Sequence, residues 1–228
     1  MKTSTKLLCL LAVITLTGML SVNGLLKQQY DQIDWSNPYQ DFVIKPLPAL
    51  RHVCISGTPE YGIQIQQGAK SQVLLGPELN ASVLEISQQG DTLLVTFNKK
   101  GSGWDGPIDE DWNSYHTGLV LNLPALSSLY VNNVRANVSG FETDQLSLTA
   151  HHARLRTEKI RVPGQLTVQT ENHAFAILDA DTCGILRVTV RDSSGANLER
   201  VRPNHLITNV APGAELRLKG NQLGVMKP

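Results

Sequence analysis

The chain of 228 residues is poor in net charge, in cysteine and in aromatic side chains. Its 20 basic residues balance its 20 acidic ones, so it has no positive excess to hold a phosphate backbone, and a nucleic-acid partner is not expected. Its three cysteines are too few for a disulfide-built fold and lack the paired spacing of a metal site. Aromatics make up only 5% of the chain. Hydrophobic residues reach 41%, enough to exclude a disordered chain and to bury the core of one domain of ordinary size.

The longest uncharged run is residues 7–26, with Lys2 and Lys6 before it and Lys27 after it. As a helix, 20 residues span ~30 Å, about one hydrocarbon core. The basic residues ahead of it favour an N-terminus kept in the cytoplasm. Two readings fit this segment. An uncleaved anchor suits its length, although Thr15, Thr17, Ser21 and Asn23 weaken the span. In a signal peptide, Val22 and Gly24 would be the small residues before the cut. Cys9 lies inside the run, too early to be a lipoprotein cysteine. Both readings put the rest of the chain on the exported side, and that part holds 18 basic against 20 acidic residues. Residues 27–48 are polar, contain Pro38, Pro46 and Pro48, and show no period. They are expected to form a linker or cap packed by Tyr30, Trp35, Tyr39 and Phe42.

From residue 49 the pattern is β. "HVCISG", "GIQIQQG", "SQVLLG", "ASVLEIS", "DTLLVTFN" and "GLVLNLP" are short runs rich in Val, Ile and Leu that end at Gly, Pro, Asn or Asp. No window of helical length carries an apolar stripe. The second half repeats: Leu146, Leu166, Leu186 and Leu206 fall at equal 20-residue steps, in "LSLTAHH", "LTVQTEN", "LRVTVRD" and "LITNVAP". "LYVNNVR" from Leu129 fits the same template with a step of 17. A second apolar cluster follows in most units, at Leu155, at Phe175 with Ile177, at Leu198, and at Leu216 with Leu218. A fixed period with strand alternation inside it predicts a β-solenoid, with rungs stacked at ~4.8 Å so that leucine lies over leucine. An antiparallel sandwich with regularly spaced strands is the competing architecture.

The order of elements resembles the bacterial family of putative auto-transporter adhesins, head GIN domain. The resemblance is carried by "VCISGTPEYGIQIQQGAKSQVLL", "GDTLLVTFNKK" and "LVLNLPALSSLYVNNVRANVSG" followed by the rungs, over roughly residues 50–223. The chain departs from the family in its turns, where only Ser194-Gly195-Ala196 and Pro212-Gly213-Ala214 approach the family's small corners. The resemblance implies a right-handed parallel β-helix exposed outside the inner membrane. It supplies no catalytic residues.

Several groups of residues could carry chemistry. A 20-residue step would stack His152, Asn172 and Asp192, near His151 and His173. No local spacing enforces a ligand set, so a solvated polar ladder is expected and a metal site is not. In the acidic segment 101–114, Asp109, Asp111 and Asn113 alternate as calcium ligands do. Ser114 and Val120, however, stand where the loop glycine and the terminal glutamate would be needed. Trp104 and Trp112, beside Asp109 and Asp111, could either cap the open end of a solenoid or grip a sugar ring. Asp179 and Asp181 could form a hydrolytic carboxylate pair. The columns Lys159–Asp179–Glu199–Lys219 and Arg161–Asp181–Val201 read instead as charge-compensated ladders. Arg154, Arg156, Lys159 and Arg161 form a basic cluster. Cys54 and Cys183 could be paired or buried singly. Asn80 and Asn137 head glycosylation acceptor triplets, which would matter only in a eukaryotic secretory route.

The expected protein is therefore an all-β, non-enzymatic module. It is held at the cell envelope by its N-terminal helix facing the periplasm, or released if that helix is cleaved. Its expected partners are the membrane and a glycan or envelope protein, with no cofactor. A small polysaccharide-acting hydrolase or lyase on the same scaffold is the alternative.

Overall fold

The computed structural model describes residues 3–35, 37–59, 61–79, 81–98 and 116–225. The chain divides into two compact units, Met1–Gln40 and Asp41–Pro228.

The first unit is built on α1 (Thr3–Gln32), which continues beyond the apolar run. It is long and apolar enough to cross a membrane, and its leucines from Leu7 to Leu26 are exposed. The hydroxyl groups inside the run are satisfied by the helix itself. Thr15, Thr17 and Ser21 donate to the carbonyls of Leu11, Val13 and Thr17 at 2.8, 2.8 and 2.9 Å. This local bonding lowers the cost of placing them in an apolar medium. At the C-terminal end of the helix, the Tyr30 and Trp35 rings pack with centroids 5.3 Å apart.

The second unit is a stack of strands. In chain order they are β1 (Val43–Pro46), β2 (His52–Gly57), β3 (Gly62–Gln67), β4 (Gln72–Leu75), β5 (Leu84–Gln89), β6 (Thr92–Phe97), β7 (Thr117–Leu123), β8 (Ser128–Asn132) and β9 (Arg135–Ser139). There follow β10 (Gln145–His151), β11 (Arg154–Glu158), β12 (Arg161–Glu171), β13 (Phe175–Asp179), β14 (Thr182–Val190), β15 (Gly195–Asn197), β16 (Arg202–Val210), β17 (Glu215–Arg217) and a short α2 (Gly220–Leu223). They form a nine-stranded sheet, β1-β4-β7-β3-β9-β11-β13-β15-β17, and an eight-stranded sheet, β16-β14-β12-β10-β8-β2-β6-β5. From β8 the chain alternates between the two sheets, and every pairing it makes there is parallel. The stretch Val43–Pro46, expected within the linker, is strand β1 and pairs antiparallel with β4.

The repeated leucines stand in register: Leu146 pairs with Leu166, Leu166 with Leu186, and Leu186 with Leu206. All four are at most 2% exposed. Leu129 departs from the sequence alignment. It pairs with Leu148, and Val131 with Ala150, so the step from β8 to β10 is 19 residues rather than 17. Two further inward columns of the eight-stranded sheet run Leu93–Val53–Leu129–Leu148–Val168–Val188 and Val95–Ile55–Val131–Ala150–Thr170–Val190. The nine-stranded sheet answers with Leu119–Ile63–Ala136–Leu155–Ala176–Ala196. Alternation sends every second side chain into the space between the sheets, and burying each Leu or Val there contributes ~1.5–3 kcal/mol.

The corners between strands have their own rule. Asn133, His152, Asn172 and Asp192 have φ of 58°, 46°, 55° and 55°, and Gly140, Lys159 and Ala180 have 74°, 56° and 57°. The first column holds residue types that tolerate the left-handed region best among those with a side chain. At one end of the stack, antiparallel β4 and β5 lie against β7 and β6, so the parallel edges there are covered. At the other end, the Leu206 amide donates to the Val225 carbonyl at 3.0 Å, and the buried Gln222 side chain donates to the carbonyls of Leu198 and, at 3.0 Å, Val201.

Candidate functional site

His173 is the residue that reorganises the charged columns. The corner after β10 passes from His152 to Ala153, whereas the corner after β12 passes through Asn172 and His173, both at positive φ. The step from β11 to β13 is therefore 21 residues, with Glu158 opposite Asp179. The shift persists to Thr182 opposite Arg161 and is lost at the irregularity between Val162 and Gln165, after which Leu166 meets Leu186. A one-residue offset changes every neighbour. It replaces the expected Lys159–Asp179 and Arg161–Asp181 ladders with Glu158–Asp179 and Arg161–Thr182.

Asp179 and Asp181 accordingly have different surroundings. Asp179 ends β13 and faces out of the nine-stranded sheet, yet is only 4% exposed. Arg156 Nη2 donates to its Oδ2 at 2.5 Å and Arg200 Nη1 to the same oxygen at 3.1 Å. Arg200 Nε lies 2.9 Å from Oδ1, outside hydrogen-bond angles. Asp181 follows the positive-φ Ala180, which breaks the alternation and turns it inward, to 0% exposure. Its Oδ1 accepts the Ile160 amide at 2.8 Å, and its Oδ2 accepts the Thr157 hydroxyl. Burial outweighs these bonds and pushes its carboxyl from 3.8 up to about 6. A fully enclosed carboxylate and one committed to two guanidinium groups do not make the paired acid and base of a hydrolase.

Next to them is a cleft of about 490 Å³ lined by Ala180, Thr182, Glu199, Arg200, Arg202 and Lys219. It lies where the last rungs pass from the nine-stranded to the eight-stranded sheet. Thr182 and Arg202 are register partners at the starts of β14 and β16. Ala180 occupies the corner position that Lys159 fills one rung earlier, and its methyl group leaves the cleft open. The sequence columns placed Glu199 beside Lys219 but missed Arg200 and Arg202, because a ladder read from spacing says nothing of a concavity.

The other sequence candidates are dispersed. Trp104, Trp112, Asp109, Asp111 and Asn113 lie outside the described residues. His152, Asn172 and Asp192 do stack at one corner, where the His152 ring meets the Asn172 carbonyl at 3.3 Å and Asp192 accepts the Asn172 amide at 3.2 Å. Among the described residues, no group of three His, Cys, Asp or Glu could hold a metal ion. The basic cluster is split: Arg154 is buried, Arg156 serves Asp179, and Arg161 meets Glu142 at 3.4 Å. Phe175, assigned to the second apolar cluster of its repeat, faces outward over Gly195, where a Cβ would lie 2.5 Å from its ring. Cys54 and Cys183 are both free: Cys54 stands between Leu94 and Tyr130 in the eight-stranded sheet. Cys183 is buried, and burial with the Asp181 charge pushes its thiol up to about 12. Asn137 donates to Gln64 at 2.9 Å in a polar row on the nine-stranded sheet.

No protein-family model and no curated protein matches the sequence. Solved structures do. A "putative lipid binding protein" from Parabacteroides distasonis ATCC 8503 aligns with TM-score 0.36 at 12% identity, over 78% of this chain and 81% of its own. A "putative adhesin" from Parabacteroides merdae ATCC 43184 aligns with TM-score 0.48 at 13% identity, over 78% and 77%. Another "putative adhesin" from Parabacteroides distasonis ATCC 8503 reaches TM-score 0.51 at 11% identity, over 78% of this chain and 80% of that one, and this likeness is one of fold.

Proposed function

We propose that the chain is a right-handed parallel β-helix, held at the cell envelope by α1 or released from it, that works as a non-enzymatic, adhesin-like binding or structural module. The observation that carries this reading is the in-register parallel stack from β8 to β17, which repeats one polar outer surface along its length. Such a surface suits extended ligands, glycan chains or partner strands. The exposed apolar α1 supports a membrane tether, and the shared fold with a protein described as a "putative adhesin" supports the adhesin-like assignment. Membership of the head GIN domain family, a periplasm-facing second unit and glycan contact by Trp104, Trp112, Asp109 and Asp111 belong to the same proposal. The polysaccharide-cleaving alternative draws no support from Asp179 and Asp181, whose carboxylates are enclosed.

Fractionation with protease treatment of spheroplasts tests the reading. The full chain is expected with membranes or in the exported fraction, and its second unit is expected to be cut only from outside the inner membrane. Recovery as a soluble cytoplasmic protein would overturn it.

A further inference from the structure

We propose that the cleft beside Asp179 binds an acidic sugar residue, with Arg202 and Lys219 taking its negative group and Glu199 and Thr182 its hydroxyls. The proposal deepens the binding-module reading and rests on it.

The argument starts from charge. The exported residues carry 18 basic against 20 acidic groups, yet the charged residues that line this cleft are Arg200, Arg202 and Lys219 against Glu199. The local excess is two positive charges on a weakly acidic unit. Asp179 is enclosed and neutralises one of its two guanidinium groups, which also fixes Arg200 at the cleft wall. Arg202 and Lys219 have no ion-pair partner among the described residues, although Glu199 lines the same cleft. Their charges are therefore open to a ligand, in a concavity that strengthens attraction for an anion.

Shape and hydrogen bonding narrow the anion. The volume of about 490 Å³ falls within the ~300–1,000 Å³ usual for small-molecule sites. A bare phosphate would leave most of it empty and would be repelled by Glu199. A sugar acid uses every group present: its carboxylate meets guanidinium or ammonium, and its hydroxyls donate to Glu199 and exchange bonds with Thr182. Ala180 supplies an apolar contact for a ring face.

The test is calorimetric titration of the full chain in detergent with trimers of galacturonate, glucuronate and mannuronate, with their methyl esters and with inorganic phosphate. At least one free acid is expected to bind about tenfold more tightly than its ester, with an affinity that falls as salt rises. The double variant Arg202→Ala/Lys219→Ala is expected to lose about tenfold in affinity with an unchanged melting temperature. The ester comparison needs no variant and stands even if the double variant unfolds. Equal binding of acid and ester, full affinity in a folded double variant, or phosphate binding as tightly as the uronate would overturn the proposal. A glycan bound independently of Arg202 would overturn this cleft and leave the binding-module reading intact. Cytoplasmic fractionation would overturn that reading while uronate binding remained measurable.

Discussion

The Asp181 carboxylate accepts the backbone amide of Ile160 at 2.8 Å from inside the core, at full burial. Its corner neighbours in the stack are Ile160 and Val201, both at most 2% exposed. One acid thus replaces an apolar side chain in a buried column. It is held there because it satisfies a corner amide and the Thr157 hydroxyl.

That arrangement makes stability depend on pH. Burial raises the folded-state value to about 6 from 3.8, so the folded protein favours the protonated acid. The contribution of this group is greatest below pH ~4. It is lost as pH rises toward 6, by a total of about 3 kcal/mol. Asp181→Asn keeps the acceptor for Ile160 without the charge. Urea denaturation is expected to show the variant gaining on the wild type between pH 4 and pH 7.5. An equal difference at the two pH values would reject the account.

Arg156 and Arg200 share Asp179 but not equally. The Arg156 side chain is 24% exposed and that of Arg200 is 65%. The more buried partner compensates more of the desolvated carboxylate, so Arg156→Ala is expected to cost about 1–3 kcal/mol and Arg200→Ala under about 1 kcal/mol. Chemical denaturation of the two variants checks the order, and the reverse order would refute it.

Gly184 holds a close approach between rungs. A Cβ there would fall 2.1 Å from the Pro163 carbonyl oxygen, against fixed backbone. Gly184→Ala is expected to destabilise by about 2 kcal/mol or more. Gly220→Ala, which meets nothing within 4 Å, is expected to change stability by less than about 0.5 kcal/mol. Matching melting temperatures for the two variants would contradict this.

Much of the fold was legible because it rests on local pattern. Alternation in runs such as "LRVTVRD" states which side chains are buried, and equal spacing of Leu146, Leu166, Leu186 and Leu206 states which rungs meet. The charged columns were misread because spacing assumes a constant step. His173 lengthens one rung, and it resembles its neighbours too closely in sequence to mark itself as an insertion. The cleft was illegible for another reason: it depends on the small size of Ala180 beside long cations from two later turns, and concavity has no sequence period.

The sequence by itself determined an apolar N-terminal helix, a β body and a repeated leucine column, since each follows from the hydrophobicity of neighbouring residues and the period of the backbone. Only the tertiary structure decided the order of the strands. The pair β2–β3, first of the parallel strands in the chain, lies in the interior of both sheets between β6–β7 and β8–β9. Strand partners are chosen by hydrogen bonds between distant segments, and alternation along one strand fixes its faces without fixing its neighbours. The same non-local choice brought Arg202 beside Thr182 and turned Asp181 into the core.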